Sequence, residues 1–385
     1  MVKTGLERLC HGEGASLLRG RRLGLLTHQA AVSSDLRPSY LVIKALFSEE
    51  LRFLFSPQHG LFGEAQANMI PSEDFVENET KLKVVSLYGP RLSPSSEHLK
   101  EIDVLLVDLQ DVGCRVYTYI WTLFLTLKAC EENGVEVLIL DRPNPLGGEI
   151  EGPLLEEDLF SFVGLVPLPL RHGLTIGEIA LFFKDYLGLS IPVHVLAMEG
   201  WQRKMFFPET GLPWVPPSPN MPSFETALVY PGQVLLEGTN LSEGRGTTKP
   251  FEIFGAPWLN EEKVSERLSS LAGIKFQRLH FTPWFDKWAG KLCRGFRLFV
   301  TDKKRYRPVW TSLYLLQVII KNFPEFSWRL PPYEYQWRQM PFDIIVGRKK
   351  IRAALELGEQ SWWEEILSEG VLKFKEMSGS FRLYN

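Results

Sequence analysis

The strongest constraint on the fold is an alternation, across the first 145 residues, of short apolar runs with amphipathic segments. Runs rich in Val, Leu and Ile occupy residues 22–28, 51–57, 83–89, 103–111 and 135–144. Helical patterns at 39–50, 95–102 and 117–134 separate several of them. Apolar strands joined by helices are typical of a parallel sheet that is covered on both faces. We therefore predict a doubly wound α/β fold.

Polar residues follow each of the five runs at its C-terminal end. They are Thr27, His28 and Gln29; Gln58 and His59; Tyr88; Asp108, Gln110 and Asp111; and Asp141, Arg142 and Asn144. The carboxyl ends of parallel strands lie along one edge of an open sheet, which is where ligands bind. We therefore expect the five strand ends to meet in one crevice.

The composition argues against several classes of function. Across 385 residues the formal charge is −3, and the basic residues are scattered, so we expect no nucleic-acid partner. The cysteines stand far apart without a CxxC pair, which predicts small buried side chains and no metal: Cys10, Cys114, Cys130 and Cys293. No GxGxxG follows the first strand and no Walker A spacing occurs, so we expect no cofactor, with a nucleotide-using transferase as a weaker alternative.

No stretch approaches the ~20 apolar residues that are needed to cross a bilayer. The N-terminus also lacks an unbroken apolar segment that ends in a small-residue cleavage site. We therefore expect a cytoplasmic chain without a membrane span.

Residues 108–119 combine acids, an amide, an arginine and tyrosines, namely Asp108, Gln110, Asp111, Arg115, Tyr117 and Tyr119. One interpretation is an ion pair that braces a tight turn. The other is a sugar site, because aromatic rings stack on the C–H faces of sugars while polar groups bind the hydroxyls. The aromatic density favours the second interpretation.

Later segments offer further polar candidates. Thr175 and Glu178 have the spacing of a capping box that begins a helix, and the preceding Arg171 and His172 are either ligands or structural. A strand is predicted at 191–198, and the loop at 200–223, dense in Trp, Phe and Pro, is long enough to predict a functional role. Segments 218–227 and 237–252 then combine glycines with Asn220, Glu237, Asn240, Glu243 and Arg245. We expect at least one of Glu237, Glu243 and Arg245 to contact a ligand, although Arg245 alternatively only neutralises Glu243.

Taken in order, these motifs resemble the exo-β-N-acetylmuramidase family of glycoside hydrolases. They are FSPQHGLFGE from residue 55, DLQDVGCRVYTY from 108, LDRPNPLGG from 140, RHGLTIGE from 171 and YPGQVLLEGTNLSEGRGTTKPFEIFGAPW from 230. The resemblance implies release of a terminal N-acetylmuramic acid from the non-reducing end of peptidoglycan fragments. It also implies an active site in the cleft between a Rossmann-like domain and an auxiliary domain.

We accordingly expect a Rossmann-like catalytic domain over residues 1–165, or to about 255 if the following loops belong to it. A smaller α/β auxiliary domain is expected over 256–385. Within it, residues 274–283 and 295–302 are predicted strands, and 309–323 is a predicted helix.

One departure from the family pattern bears on catalysis. Family members usually read Ser-Pro-Glu-His-Gly, and that Glu is the favoured catalytic carboxylate, whereas this chain has Gln58. Gln58 has the same shape but cannot exchange a proton, and a positioned acid or base contributes roughly 10²–10⁴-fold in rate. Three outcomes are open: another carboxylate supplies the acid, the protein is a catalytically impaired muropeptide-binding protein, or the same pocket performs altered chemistry.

The candidate catalytic residues are Gln58, His59, Glu64, Asp108, Asp111, Glu237 and Glu243. The candidate substrate-binding residues are His28, Gln110, Arg115, Tyr117, Tyr119, Asp141, Asn144, Arg171, His172, Asn220, Asn240 and Arg245. Of these, His59 and Arg115 would orient the acids. Arg171 or Arg245 would bind the lactyl carboxylate that distinguishes muramic acid from glucosamine.

Overall fold

The computed structural model describes residues 1–66 and 70–385. Its larger sheet is built from β1 (Leu23–Thr27), β2 (Leu51–Ser56), β3 (Phe75–Val76), β4 (Lys83–Ser86), β5 (Val104–Asp108), β6 (Glu136–Leu140) and β7 (Val193–Leu196). Across the described residues these strands lie in the order β3-β4-β2-β1-β5-β6-β7. Neighbouring strands are parallel, apart from the antiparallel edge pair of β3 and β4. The predicted parallel sheet is confirmed, whereas the short edge strand β3 was not predicted.

The order of the parallel strands decides where a crevice opens. Numbered among themselves along the chain, they follow the 3-2-1-4-5-6 arrangement of doubly wound dinucleotide-binding sheets. The order reverses between β1 and β5, and in such sheets ligands bind at the carboxyl ends beside this reversal. The glycine-rich turn that would hold a dinucleotide is missing after β1, where the chain reads Thr-His-Gln-Ala-Ala.

Helices cover both faces of this sheet and form most of the C-terminal region. They are α1 (Gly5–Cys10), α2 (Ser39–Leu46), α3 (Ser96–Leu99), α4 (Tyr119–Asn133), α5 (Ile176–Leu187), α6 (Phe224–Gln233), α7 (Glu262–Ser269), α8 (Pro308–Asn322), α9 (Pro341–Val346), α10 (Lys349–Leu357) and α11 (Gln360–Ser378). In the central strands, alternate side chains point to opposite layers. Leu25 and Leu106 pack with α1 and α2, whereas Leu26 and Val107 belong to the core formed with α4 and α5.

The predicted helix ends are confirmed where the sequence carried capping signals. Gly134 follows α4 in the left-handed conformation, with φ +67°. At the start of α5, the Thr175 side chain accepts a hydrogen bond from the Glu178 backbone, and the Glu178 side chain accepts one from the Thr175 backbone. Helix α5 therefore begins where the capping box placed it.

The second sheet is formed by β8 (Ile253–Ala256), β9 (Ile274–Phe281) and β10 (Cys293–Val300). Within the described residues it has the order β8-β10-β9, and both pairings are antiparallel. The predicted strands at 274–283 and 295–302 correspond to β9 and β10, and the predicted helix at 309–323 corresponds to α8. Side chains of the second sheet and of α8 pack in the same apolar core as those of the first sheet. One continuous core therefore connects the two sheets.

The contact of α6 with α8 depends on Gly232. A Cβ at this position would lie 2.0 Å from the Pro308 carbonyl oxygen and 2.5 Å from Ser312 Oγ. We expect Gly232→Ala to lower the free energy of unfolding by at least ~1–3 kcal/mol, because a backbone atom cannot move aside as a flexible side chain can. Denaturant unfolding measures this. Gly379→Ala is the control, since a Cβ there meets nothing within 4 Å and φ is −59°; an equal loss in both variants would contradict the packing argument.

Two compositional expectations can be compared with the structure. Searched over the described ranges, the chain contains no helix that is both long and apolar enough to cross a membrane. Cys114, Cys130 and Cys293 are buried, as predicted, whereas Cys10 is exposed because it lies at the end of α1.

Candidate active site

A small cleft, with about 440 Å³ of empty space when the open solvent at its mouth is included, lies beside the carboxyl ends of β2 and β5. Its walls are formed by Gln58, His59, Val116, Tyr117, Thr118, Val163, Ser218, Asn220, Met221, Tyr230, Glu237, Arg245, Phe251, Tyr333 and Glu334. Apolar and aromatic surface alternates with a few charged and amide groups, which suits a ligand that has both C–H faces and polar substituents.

Glu237 is the carboxylate with the most defined partners in the cleft. It belongs to a short 3₁₀ helix, Val234–Gly238, that continues directly from α6. Arg245 Nη2 donates to Glu237 Oε1 at 2.7 Å, and the Tyr333 hydroxyl donates to Oε2 at 2.7 Å. The carboxylate is therefore held by an ion pair on one oxygen and a phenol on the other.

A second buried acid balances the charge of Arg245. Glu243 lies 3.3 Å from Arg245 Nε and 2.6 Å from Lys287 Nζ. Burial opposes ionisation, but Lys287 and Arg245 nevertheless hold the pKa of Glu243 below its usual value. Lys287 also donates to the Leu236 carbonyl at 2.8 Å. It therefore links Glu243 to the turn that carries Glu237.

Glycines on either side of Arg245 allow the chain to turn it into the cleft. Gly244 has φ +82° and Gly246 has φ +76°. A Cβ at Gly246 would lie 2.7 Å from the Phe285 backbone nitrogen. Arg245 then lies over the Phe251 ring, with Cζ 5.0 Å from the ring centroid. The Gly-Arg-Gly sequence is therefore what positions this guanidinium.

The polar residues that follow β2 form one wall of the cleft. The Thr118 hydroxyl donates to Gln58 Oε1 at 2.5 Å, so Gln58 is held by the N-cap residue of α4. His59 has φ +75°, and its Nδ1 lies 2.7 Å from the Ala65 carbonyl oxygen, so Nδ1 carries the proton. Burial lowers the pKa of His59 to about 4, with a smaller contribution from Arg245. The imidazole is neutral at physiological pH.

Tyr117 presents an unsatisfied polar atom to the cleft. Its hydroxyl is buried and has no hydrogen-bond partner among the described residues. Its ring packs edge-on against the Tyr230 ring, with centroids 6.2 Å apart. Buried hydroxyls are normally hydrogen-bonded, so this one is available to a ligand. The 200–223 loop adds Ser218, Asn220 and Met221 to the same wall.

Glu334 is a carboxylate of the cleft that sequence analysis missed. Only 3% of its surface is exposed, and the Tyr88 hydroxyl donates to Glu334 Oε2 at 3.2 Å. Burial, and after it the charge of Glu237, raises the pKa of Glu334 to about 7. Thr118, Tyr230, Phe251 and Tyr333 were also missed. The run PPYEYQW at 331–337, an acid within a Pro-rich aromatic loop like that at 200–223, was the available signal for Glu334.

Asp108 does not reach the cleft. Its carboxylate accepts hydrogen bonds from Arg142 at 2.5 and 2.9 Å, and both side chains are buried. Arg142 also donates to the Val32 carbonyl at 2.8 Å. The pair ties the end of β5 to the chain that follows β1 and β6, so Asp108 is not positioned as a catalytic acid. The alternative of a bracing ion pair is correct here, with Arg142 rather than Arg115 as the cation.

Asp111, His172 and Asn144 brace the loops after β5 and β6. Asp111 Oδ2 lies 3.3 Å from His172 Nε2. His172 Nδ1 accepts from the Leu174 backbone at 3.2 Å, and Asn144 donates to the Leu174 carbonyl at 2.9 Å. None of the three lines the cleft. The structure therefore does not bring them to the cleft, and their catalytic or binding roles stay predictions.

Asp141 is likewise used inside the fold. It accepts hydrogen bonds at 2.8 Å from the Thr175 hydroxyl and from the Gly177 backbone, and a third from the Tyr384 hydroxyl. These contacts join the end of β6 to the start of α5 and to the C-terminal segment. The prediction that Asp141 faces the crevice is wrong.

Neither Arg115 nor Arg171 reaches the cleft. Arg115 donates to the carbonyl oxygens of Leu168 at 2.8 Å and Ile345 at 2.5 Å, and burial lowers its pKa to about 10. Arg171 is also buried and donates to a loop carbonyl. Each satisfies backbone acceptors in the interior, so Arg245 is the member of the predicted arginine set that lines the site.

His28, Gln110 and Tyr119 form a layer outside the cleft lining. The Gln110 backbone donates to His28 Nε2 at 2.9 Å, and the His28 ring meets the Tyr119 ring edge-on with centroids 4.7 Å apart. The Tyr119 hydroxyl donates to the Pro217 carbonyl at 2.6 Å. The last of these contacts supports the loop that carries Ser218. The three residues therefore pack behind the cleft wall and do not line it.

Two further candidates belong to loops outside the cleft. Glu64 is exposed, and its carboxylate accepts from the Phe62 backbone at 3.1 Å. The Asn240 side chain donates to the Glu325 carbonyl at 2.8 Å and accepts from the Ser327 backbone at 3.1 Å. Glu64 closes a local turn and Asn240 ties its loop to residues 325–327, so the structure does not bring either side chain to the cleft.

The expectation that five strand ends meet in one crevice is wrong. Residues after β2 and β5 line the cleft, and Tyr88 after β4 reaches it through Glu334. Residues after β1 and β6 instead line a separate, smaller cavity, which includes Ser33 and Arg142. Buried polar groups must be paired, and at a crowded sheet edge the loops themselves supply most partners.

Comparison with known proteins connects this geometry to a family. Residues 23–225 match the family described as exo-beta-N-acetylmuramidase NamZ, N-terminal, and residues 228–384 match its C-terminal counterpart. The chain is 42% identical over 361 residues to the peptidoglycan beta-N-acetylmuramidase NamZ of Bacillus subtilis strain 168, covering 93% of this chain and 85% of the relative. Two crystal structures of DUF1343 family proteins from Bacteroides fragilis NCTC 9343 are also similar, at TM-scores of 0.89 and 0.78 with 32% and 27% identity; each match covers 100% of this chain and 99% of the other.

Proposed function

This chain belongs to the exo-β-N-acetylmuramidase family, and from that premise we propose that it hydrolyses the bond joining a terminal N-acetylmuramic acid to a peptidoglycan fragment. Although position 58 is Gln rather than Glu, the cleft still contains carboxylic acids, because Glu237 and Glu334 line it. The proposal is therefore an active enzyme rather than a binding protein that has lost its chemistry.

The observation that carries the proposal is the contact set of Glu237. Glycoside hydrolysis passes through a positively charged, oxocarbenium-like transition state flanked by two carboxyl groups. One is a charged carboxylate and the other a proton donor. Glu237 is held in an ion pair with Arg245 and accepts the Tyr333 hydroxyl, so its negative charge is fixed in place before the substrate arrives. We assign it the role of the charged carboxylate.

The remaining walls suit an N-acetylated sugar acid. Tyr117, Tyr230 and Phe251 supply aromatic surface, and the unpartnered Tyr117 hydroxyl can bind a ring substituent. Muramic acid differs from glucosamine by a lactyl carboxylate, which requires a donor with positive charge. Among the described residues that line the cleft, Arg245 carries that charge, because His59 is neutral. We propose that Arg245 contacts the lactyl group.

The test is turnover by the purified natural protein. We expect it to release nitrophenol from a nitrophenyl β-N-acetylmuramide and to leave the matching β-N-acetylglucosaminide uncleaved, because the latter has no carboxylate for Arg245. A muramic-acid-terminated disaccharide is the second substrate. If the folded protein cleaves neither muramide but binds the sugar in calorimetry, the hydrolase proposal fails and the binding alternative stands.

A further inference from the structure

We infer that Glu334 is the proton donor of this site and protonates the glycosidic oxygen as the bond breaks. The inference rests on the proposed hydrolysis and adds the residue that performs its acid step. It starts from the chemistry of position 58, where an amide cannot release a proton. A hydrolase with Gln58 therefore needs a different acid, and the cleft holds two carboxylic acids with contrasting partners.

The contrast lies in the cations. Arg245 is 2.7 Å from Glu237, and Lys287 is 2.6 Å from Glu243. No Lys or Arg of the described residues forms an ion pair with Glu334, whose carboxyl receives only a neutral phenol, from Tyr88, among the hydrogen bonds described for it. A buried carboxyl without a cation favours its neutral, protonated form.

Electrostatics agree with this division of roles. Burial and the nearby charge of Glu237 raise the pKa of Glu334 to about 7. A large fraction of Glu334 is then protonated at neutral pH, while Glu237 stays in its ion pair. Glycosidases use two acids in different surroundings: one is protonated and donates the proton, and the other is ionised.

The backbone places Glu334 beside its partner. Tyr333 and Gln336 exchange backbone hydrogen bonds of 2.9 and 2.8 Å, which closes a tight turn around Glu334. Glu334 and Tyr335 have φ +41° and +64°, values that are uncommon for residues with side chains and that occur preferentially at functional sites. The preceding Tyr333 binds Glu237. The turn therefore sets the position of Glu334 relative to Glu237.

Proton transfer from Glu334 accompanies cleavage of the glycosidic bond. The O–H bond of Glu334 breaks as its proton passes to the glycosidic oxygen, and the bond from that oxygen to the anomeric carbon breaks with its electron pair remaining on oxygen. The leaving sugar departs as an alcohol. Water then adds its oxygen to the anomeric carbon and gives up a proton, which restores the carboxylic acid. The net reaction converts one glycoside and one water into one hemiacetal sugar and one alcohol.

The experiment compares Glu334→Gln with the natural protein on two leaving groups. A sugar leaving group needs protonation, so we expect kcat/KM for the muramic-acid-terminated disaccharide to fall by ~10²–10⁴-fold. A nitrophenol leaves without protonation, so kcat/KM for the nitrophenyl muramide should fall less than about tenfold. An equal loss on both substrates would mean a positioning role and would overturn the inference, while turnover by the natural protein would still support hydrolysis.

The pH dependence supplies a second readout. Glu334 must be protonated to act, so kcat/KM for the disaccharide should decline as pH rises through about 7, its pKa. Glu334→Asp should keep a basic limb because it keeps a carboxylic acid, and Glu334→Gln should lose that limb from its residual activity. Glu376→Gln on the exposed face of α11 is the control for folding and handling. A basic limb that persists unchanged in Glu334→Gln would assign the proton to another group.

The third test of Glu334 as the proton donor is a substitution at position 58. Because Glu334 already supplies the acid, we expect any gain in kcat/KM for the disaccharide on Gln58→Glu to stay below a hundredfold. A gain of a hundredfold or more would show that the natural cleft lacks its acid, and Glu334 would then not be the proton donor. Circular dichroism and thermal unfolding of each variant separate lost folding from lost chemistry.

Discussion

Replacing Glu237 by Gln is expected to lower kcat/KM for a terminal muramide by about 10²–10⁴-fold, whatever the leaving group. Gln has the shape of Glu and can still accept a hydrogen bond from the Tyr333 hydroxyl, so the change removes charge rather than packing. The lost charge is the one that stabilises the positive transition state. Arg245 keeps Glu243 as a partner at 3.3 Å, which limits the structural damage.

The decisive measurement is the comparison of the nitrophenyl muramide with the disaccharide. Glu237→Gln should slow both to a similar extent, in contrast to Glu334→Gln, because a charged carboxylate assists bond breaking for every leaving group. Thermal unfolding shows whether the variant is folded at the assay temperature. A folded Glu237→Gln protein that retains more than a tenth of the natural kcat/KM would exclude Glu237 as the charged carboxylate.

Replacing Asp108 by Asn is expected to lower the free energy of unfolding by ~3–5 kcal/mol. The reason is that Arg142 would remain buried with a neutral partner, after losing a carboxylate that it binds at 2.5 and 2.9 Å. Breaking one side of a buried ion pair leaves an uncompensated charge, which is far more costly than losing an exposed pair. Urea unfolding followed by tryptophan fluorescence measures the change.

The matched control is Asp103→Asn. Asp103 pairs with Arg22 at 2.6 Å, but both side chains are more than a third exposed, so its loss should amount to about 0–1 kcal/mol. If Asp108→Asn and Asp103→Asn were equally stable, the buried pair would not be the structural tie described here. If Asp108→Asn were as stable as the natural protein yet inactive, Asp108 would return as a candidate acid.

The fold was predictable because its signals are local. Apolar runs such as 103–111 and 135–144 differ in period from the helix at 117–134, and both periods are visible in a single sequence. Capping chemistry at Thr175 and Gly134 involves residues that are three or four positions apart, so it too could be read directly. The antiparallel edge strand β3 has two residues, too few to show any period.

Part of the site was predictable from the sequence. Gln58, His59, Tyr117, Asn220, Glu237 and Arg245 were named from the sequence and lie in the cleft. Asp108, Asp111 and Asp141 looked equally suitable, because a carboxylate after a strand has the same local context whether it meets a ligand or a loop. Which of these it meets depends on residues far along the chain.

The sequence by itself determined the layered architecture, the helix ends and the polar character of the sheet edge, since each follows from neighbouring residues. Only the tertiary structure decided which carboxylates reach the cleft. Asp141 meets Tyr384, while Tyr333 reaches back to Glu237 and places Glu334 beside it. Such contacts depend on how distant segments pack, and they place a cation beside Glu237 and a neutral phenol beside Glu334.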